Sequence, residues 1–284
     1  MAHAKECLSA RWPLPFWKMS GAGNDFVLID HRGAFVAARD MAEFARLVCR
    51  PKFGVGADGL IFIERSEEAD FQWRFFNADG SEAEMCGNGA RCAARFAFMQ
   101  GIAAAHMRFL TRAGLIEASV DETLVTVSLT PATDLVLNRR LQVTDRPHVV
   151  HSVNTGVPHA VLFVEDLAGT DVCSLGRALR FHEAFGPKGT NVNFVALADD
   201  GLHIRSYERG VEDETFACGT GAVAAALIAV QLGLSSPPVR ISTTGGAQLD
   251  ILFTEKGGER LPALRLRGSA HVIYRGELTP EALA

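Results

Sequence analysis

Two stretches of the chain are apolar around most of a helical circumference. ARCAARFAFM, from Ala90 to Met99, is stopped by Gly101, and AVAAALIAVQL, from Ala222 to Leu232, is stopped by Gly233 with Pro237 and Pro238 beyond. A helix with so little polar face is enclosed on all sides, and its alanines let strands come close. Shorter runs alternate or are rich in β-branched and aromatic residues, the mark of strands. They are Phe26 to Ile29, Leu60 to Ile63, Phe71 to Phe76, Leu124 to Leu129, Ala160 to Val164, Val192 to Leu197, Leu202 to Tyr207, Val239 to Ser242, Leu249 to Phe253 and Leu264 to Leu266. Sheets predominate, so the pattern predicts an α/β fold of α+β type in which curved mixed sheets surround buried helices.

The same words recur along the chain. Cys86-Gly87-Asn88-Gly89-Ala90 and Cys218-Gly219-Thr220-Gly221-Ala222 both read CGxGA, and 218 minus 86 is 132. Phe53-Gly54 and Phe185-Gly186 are again 132 apart, and an acidic residue stands four before each cysteine, Glu82 and Glu214. A looser match, Gly21 before Phe26 to Ile29 and Gly156 before Val161 to Val164, is separated by 135. Matches in one order suggest a duplicated domain. The expected organisation is an extension at 1–17, an N-terminal half at 18–131 carrying Cys86, to which the tail 275–284 could belong, and a C-terminal half at 132–274 carrying Cys218. A pseudo-twofold axis would relate the halves and set equivalent motifs opposite one another.

Composition narrows the classes. A length of 284 residues suits two domains, and 48% hydrophobic with 21% charged residues is that of a globular protein. The net charge of -5 gives no global basic field for nucleic acid. The most apolar stretch is shorter than the roughly 20 residues of a bilayer span, and the N-terminus lacks the apolar core of a secretory signal. We therefore expect a cytoplasmic protein with neither membrane nor nucleic-acid partners. Six cysteines without a CxxC pair read as reduced thiols, of which Cys7, Cys49, Cys92 and Cys173 have no assigned chemistry. Cys92 lies about 240° around the helix from Cys86, so the two cannot share a metal from one face. Nine histidines form no HExxH, and His148 and His151 read as a solvated loop; no metal is expected.

What remains is the pair of cysteines, each in a glycine turn that opens a helix. Such a thiol sits at the positive end of the helix dipole, which favours its thiolate, and the adjacent backbone N–H groups of Gly87, Asn88, Gly219 and Thr220 can hold a carboxylate. If duplication brings both to one cleft, a substrate carboxylate between the helix starts would have one sulfur on each side of its α-carbon. One thiolate would remove the α-proton while the other thiol protonates the opposite face, and the N–H donors would stabilise the enolate-like charge; no cofactor is needed. Asn77 and Glu208 end strands in equivalent places, and Glu208-Arg209 could serve a zwitterionic ligand. Asn24 and Asn191 lie in glycine turns, as turn formers or as ligands. Competing readings are a hydrolase with Cys218 as nucleophile and His159 as base, and a redox pair in which Cys86 and Cys218 join in a disulfide.

KMSGAGNDFVLID, FGVGADGLIFIE, FFNADGSEAEMCGNGARC, GTNVNF and YERGVEDETFACGTGA resemble the successive motifs of the diaminopimelate epimerase family, in order, from Lys18 onward. The resemblance implies two similar α/β domains and PLP-independent interconversion of LL- and meso-2,6-diaminopimelate, in lysine and peptidoglycan precursor synthesis. It implies Cys86 and Cys218 as the catalytic acid/base pair, with His159 and Glu208 assisting. It assigns substrate binding to Asn24, Asn77, Asn191, Glu208 and Arg209, the last for the distal carboxylate, and to the backbone at Gly87, Asn88, Gly219 and Thr220. The partner is the small-molecule substrate, with a homodimer compatible. A proline or hydroxyproline racemase or 2-epimerase of the same superfamily is the alternative. Two departures stand out: Gly156-Val157-Pro158-His159 has valine where the family has asparagine, with Asn154 a candidate substitute, and the segment after Arg209 is one residue longer.

Overall fold

The computed structural model describes residues 12–254 and 261–283, and the chain divides into two compact units. The first runs to Val127 and regains the chain at Ser269; the second holds Ser128–Gly268. The division therefore falls a few residues before Pro131, and the returning tail starts before residue 275.

The first unit is built from β1 (Leu14–Gly21), β2 (Asn24–Asp30), helix α1 (Met41–Val48), β3 (Gly59–Glu64), β4 (Phe71–Asn77), β5 (Glu82–Ala83), helix α2 (Gly87–Met99), β6 (His106–Thr111), β7 (Gly114–Asp121) and β8 (Leu124–Ser128). The second continues with β9 (Thr133–Val143), β10 (Arg146–Asn154), β11 (Pro158–Phe163), helix α3 (Val172–Arg180), β12 (Asn191–Ala198), β13 (Gly201–Glu208), β14 (Asp213–Thr215), helix α4 (Gly219–Gln231), β15 (Val239–Thr243), β16 (Gln248–Thr254) and β17 (Ala263–Ser269). Strand β18 (His271–Leu278) pairs with β1 and completes the first sheet.

The strand orders are copies of one another. The first sheet runs β18-β1-β2-β3-β4-β6-β7-β8, parallel between β2 and β3 and between β4 and β6. The second runs β9-β10-β11-β12-β13-β15-β16-β17, parallel between β11 and β12 and between β13 and β15. Each parallel join requires a crossover, and a helix supplies it every time. Helix α2 packs against β1, β2, β3 and β7, and α4 against β10, β11, β12, β13, β15 and β16, so each sheet bends round its helix. Helix α4 is buried at every position from Gly221 to Ala229, as an all-apolar surface requires. Opposite faces of the sheets carry α1, whose Phe44 clusters with Phe62 and Phe76, and α3, whose Leu179 clusters with Leu162 and Phe194.

Several differences from the sequence pattern have physical causes. Residues 14–17, within the expected extension, begin β1; Pro15 weakens the strand signal, but it pairs only toward Glu277, because the β2 ladder starts at Trp17. Residues 1–11, including Cys7, lie outside the described residues. His148 and His151 belong to strand β10 rather than a loop, and His151 is buried beside Phe163, its Nδ1 accepting from the Asn138 N–H at 3.2 Å. The partner strand β9 reads as polar linker because most of its residues face solvent; Leu141 and Val143 near its end are buried in the core that also holds Val172 and Leu179 of α3. Helix α3 is obscured by Gly176, whose missing Cβ makes room for Tyr207; a Cβ there would stand 2.6 Å from the ring's own Cβ. Among the described residues no helix is long and apolar enough to cross a membrane.

Candidate active site

Each CGxGA turn makes its cysteine the N-cap of a buried helix. Cys86 caps α2 with extended backbone (φ -146°, ψ 119°), and Cys218 caps α4 likewise (φ -111°, ψ 105°). A helix start leaves several N–H groups without intrahelical partners, and small residues at the following positions keep them open. The Cys86 sulfur takes one of these, accepting from the Gly89 N–H at 3.5 Å, while its thiol points to Asn24 Oδ1 at 3.7 Å. Cys218 Sγ stands 3.6 Å from Thr220 Oγ1 and bonds the Glu208 side chain.

Around Cys86 the polar groups are amides. Neither Asn24 nor Asn77 adopts left-handed backbone; Asn24 opens β2 and Asn77 closes β4. Asn24 donates to Asp58, and Asn77 donates to Ser81 Oγ at 2.9 Å across a turn that Gly80 completes at φ 85°. Asp58 is a residue that sequence reasoning missed. Its carboxylate takes the Asn24 amide and the Asp25 N–H, and its carbonyl takes the Ala78 N–H at 2.9 Å, so it splices the Asn24 and Asn77 turns. The signal was the FGVGADGL run, whose aspartate had no assigned task. Lys18 pairs with Asp25 at 2.6 Å and steadies the same turn.

Asn88 is buried with its side-chain oxygen accepting from Arg91 Nη2 at 2.9 Å, so its backbone is what it can offer a ligand. Arg91 is itself fully buried in the first turns of α2, reaching the Gly87 carbonyl at 3.3 Å and the Ser269 carbonyl at 3.4 Å. No carboxylate among the described residues pairs with it, and burial lowers its pKa. A cation held there by carbonyl and amide oxygens acts electrostatically on Cys86.

Around Cys218 the charged groups are Glu208 and Arg209. Glu208 closes β13, accepts from Thr215 Oγ1 at 2.5 Å and bonds Cys218; burial pushes its carboxyl above the ordinary range, partly offset by those two bonds. Asn191 opens β12 and is occupied as a splint, accepting from the Arg209 N–H at 2.9 Å and donating to the Pro158 carbonyl at 3.2 Å. That fixes the backbone of Arg209, whose guanidinium has no carboxylate partner among the described residues. Thr155 Oγ1 donates to the Thr220 carbonyl at 3.0 Å and pins the helix start. His159 is buried in β11, and burial with the nearby Arg209 charge drops its pKa to about 3, so the ring is neutral. Asn154 Oδ1 is taken by the Gly156 N–H at 3.0 Å, which leaves only its amino group for the task of the missing asparagine.

The recurring acids have a structural task. Glu82 bonds Arg74 at 2.8 Å and Glu214 bonds Arg205 at 2.8 Å, each stapling the short strand that leads to its cysteine. No group of three or more His, Cys, Asp or Glu among the described residues is arranged to hold a metal ion.

Sheet order defines the fold class. Solved structures that superpose on the chain include a Bacillus anthracis phenazine biosynthesis protein of the PhzF family, at TM-score 0.75 with 15% identity, covering 94% of this chain and 99% of that one. A probable proline racemase from Agrobacterium radiobacter superposes at TM-score 0.71 with 13% identity, covering 95% and 96%. The fold is therefore that of the racemase and PhzF proteins. Within that class, the family model of diaminopimelate epimerase matches residues 16–134 and 151–265, and the chain belongs to that family. Relatives named diaminopimelate epimerase include one from Aquifex aeolicus, 47% identical over 282 residues covering 95% of this chain and 99% of the relative. Another, from Hydrogenobaculum, is 50% identical over 277 residues, covering 93% and 98%.

Proposed function

We propose that the protein interconverts LL- and meso-2,6-diaminopimelate without PLP, with Cys86 and Cys218 as its acid/base pair, in the cytoplasmic supply of lysine and peptidoglycan precursors. The observation that carries the reading is the duplicated cysteine cap, one in each unit, on a helix whose first three residues are Gly87-Asn88-Gly89 in one and Gly219-Thr220-Gly221 in the other. In the forward step a thiolate takes the α-proton, and the C–H electron pair moves into the α-carboxylate as an enediolate. The backbone N–H groups at Gly87, Asn88, Gly219 and Thr220 hold that carboxylate as its charge grows. The second thiol then delivers its proton to the opposite face of the carbon, and the protonation states of the two sulfurs exchange.

Glu208 supports Cys218 by sharing one proton with it, since Thr215 and the thiol offset the cost of its burial. The Arg209 guanidinium is the natural partner of the distal carboxylate, and Asn24, Asn77 and Asn191 line the remaining polar positions. Incubating the pure protein with LL-diaminopimelate in heavy water, without PLP, tests the reading. Meso product carrying α-deuterium is expected. Turnover of proline with none of diaminopimelate would replace it with the racemase alternative.

A further inference from the structure

The duplication supplies a control for every side chain behind the two helix starts. Strand register fixes which residues correspond: Phe26 stands opposite Gly59 as His159 stands opposite Asn191, and Ile61 stands opposite Phe75 as Asn193 stands opposite Ser206. In the first unit Ile61 and Phe26 pack into the space left by Gly89, and Phe26 meets Phe75 edge-on at 5.8 Å. The second unit buries His159, Asn193 and Ser206 in the same three places, with Asn193 against Gly221. Burying three polar side chains costs free energy that three apolar ones do not, so the fold alone does not call for them.

Their hydrogen bonds run in one direction. Asn193 Nδ2 donates to the Ala160 carbonyl at 3.1 Å, which can only accept, so the orientation of the amide is settled. The same nitrogen lies 3.1 Å from His159 Nδ1, and Ser206 Oγ donates to Asn193 Oδ1 at 2.8 Å. Nδ1 of the neutral ring must then accept, and the ring's single proton sits on Nε2. That atom is buried and has no hydrogen-bond partner among the described residues. A fully buried donor held out without an acceptor is a group waiting for one.

We infer that Asn193, oriented by Ser206, is a positioning residue that locks His159 as its Nε2–H tautomer, so that His159 enters the reaction as a hydrogen-bond donor to developing negative charge rather than as a base. The assignment of catalysis rests on the epimerase reading; the tautomer does not. An Asn193→Asp change puts an acceptor where the amide donates and calls for a proton on Nδ1, reversing the ring. Ser206→Ala removes only the hydroxyl that orients the amide and disturbs packing least.

Long-range proton–nitrogen NMR of protein labelled at its histidines reads the tautomer directly, the His159 signal being assigned by its loss in His159→Gln. Between pH 5 and 9 a protonated Nε2 and an unprotonated Nδ1 are expected in the intact protein. Asn193→Asp should move the proton to Nδ1 and lower kcat about 100-fold with KM changed less than about threefold, and Ser206→Ala should do both in part. A proton on Nδ1 of the intact protein, or an Asn193→Asp enzyme with the tautomer reversed and kcat intact, overturns the inference. Should Asn193→Asp not fold, the intact protein and Ser206→Ala decide it. Intact protein that shows the expected tautomer but turns over no diaminopimelate overturns the proposed function and leaves the lock standing.

Discussion

The two cysteine caps share a backbone and differ in the charge around them. Beside Cys86 lie amides and the buried guanidinium of Arg91; the corresponding helix position in the second unit, 132 residues on, is Val223, equally buried. Beside Cys218 lies the Glu208 carboxyl, where the first unit ends its strand on Asn77. Duplication thus yields two similar helix starts, while a few substitutions bring Arg91 near one cysteine and Glu208 beside the other. The lesson is that duplicated turns keep their backbone while the side chains around them diverge, and the two-thiol reaction proposed above calls for such a difference, because its sulfurs start in opposite protonation states.

The largest effect should come from removing either sulfur. Cys86→Ala and Cys218→Ala should each lower stereoinversion by about 10³-fold or more, since neither cap can replace the other. A variant that retains substantial conversion of LL to meso isomer would break the comparison at its root. Next comes Glu208→Gln, expected to lower kcat about 100-fold, within the range of a general acid/base partner. Its stability should move the other way with pH. The folded state holds the Glu208 proton more tightly than the unfolded state, so that contribution is full below the ordinary value of 4.5 and is lost as pH rises through the raised one. The melting temperature of Glu208→Gln should therefore gain on that of the parent between pH 4 and pH 8, and parallel curves would contradict the assigned burial. The smallest effect concerns Arg91→Met: iodoacetamide at pH 7 should alkylate Cys86 about tenfold more slowly, with the Cys218 rate unchanged, because removing a nearby cation disfavours the thiolate. Equal slowing at both sulfurs would point to a general loosening instead.

Much of this arrangement can be read from residues in order along the chain. The helices of Ala90 and Ala222, the strands that precede them, the repeat at 132 residues and the two cysteines all leave local marks, because burial on every side forces an apolar circumference and a helix start forces small residues. The same words gave the family, and with it Glu208, His159, Arg209 and the asparagines. Hidden from the sequence were contacts whose partners lie far apart along it. Strand β9 looks like linker because most of its residues face water and ladder hydrogen bonds leave no side-chain pattern, with only Leu141 and Val143 buried near its end. Gly176 looks like a helix breaker until Tyr207 fills its place. Asp58 joins two turns, Arg91 lies buried on carbonyl and amide oxygens, and Asn193 chooses the tautomer of His159 from the neighbouring strand. The sequence by itself determined the family, the candidate residues and the fact that the cysteine turn occurs twice. Tertiary structure alone decided what each stands beside, because strand register, not residue identity, sets which donor meets which acceptor.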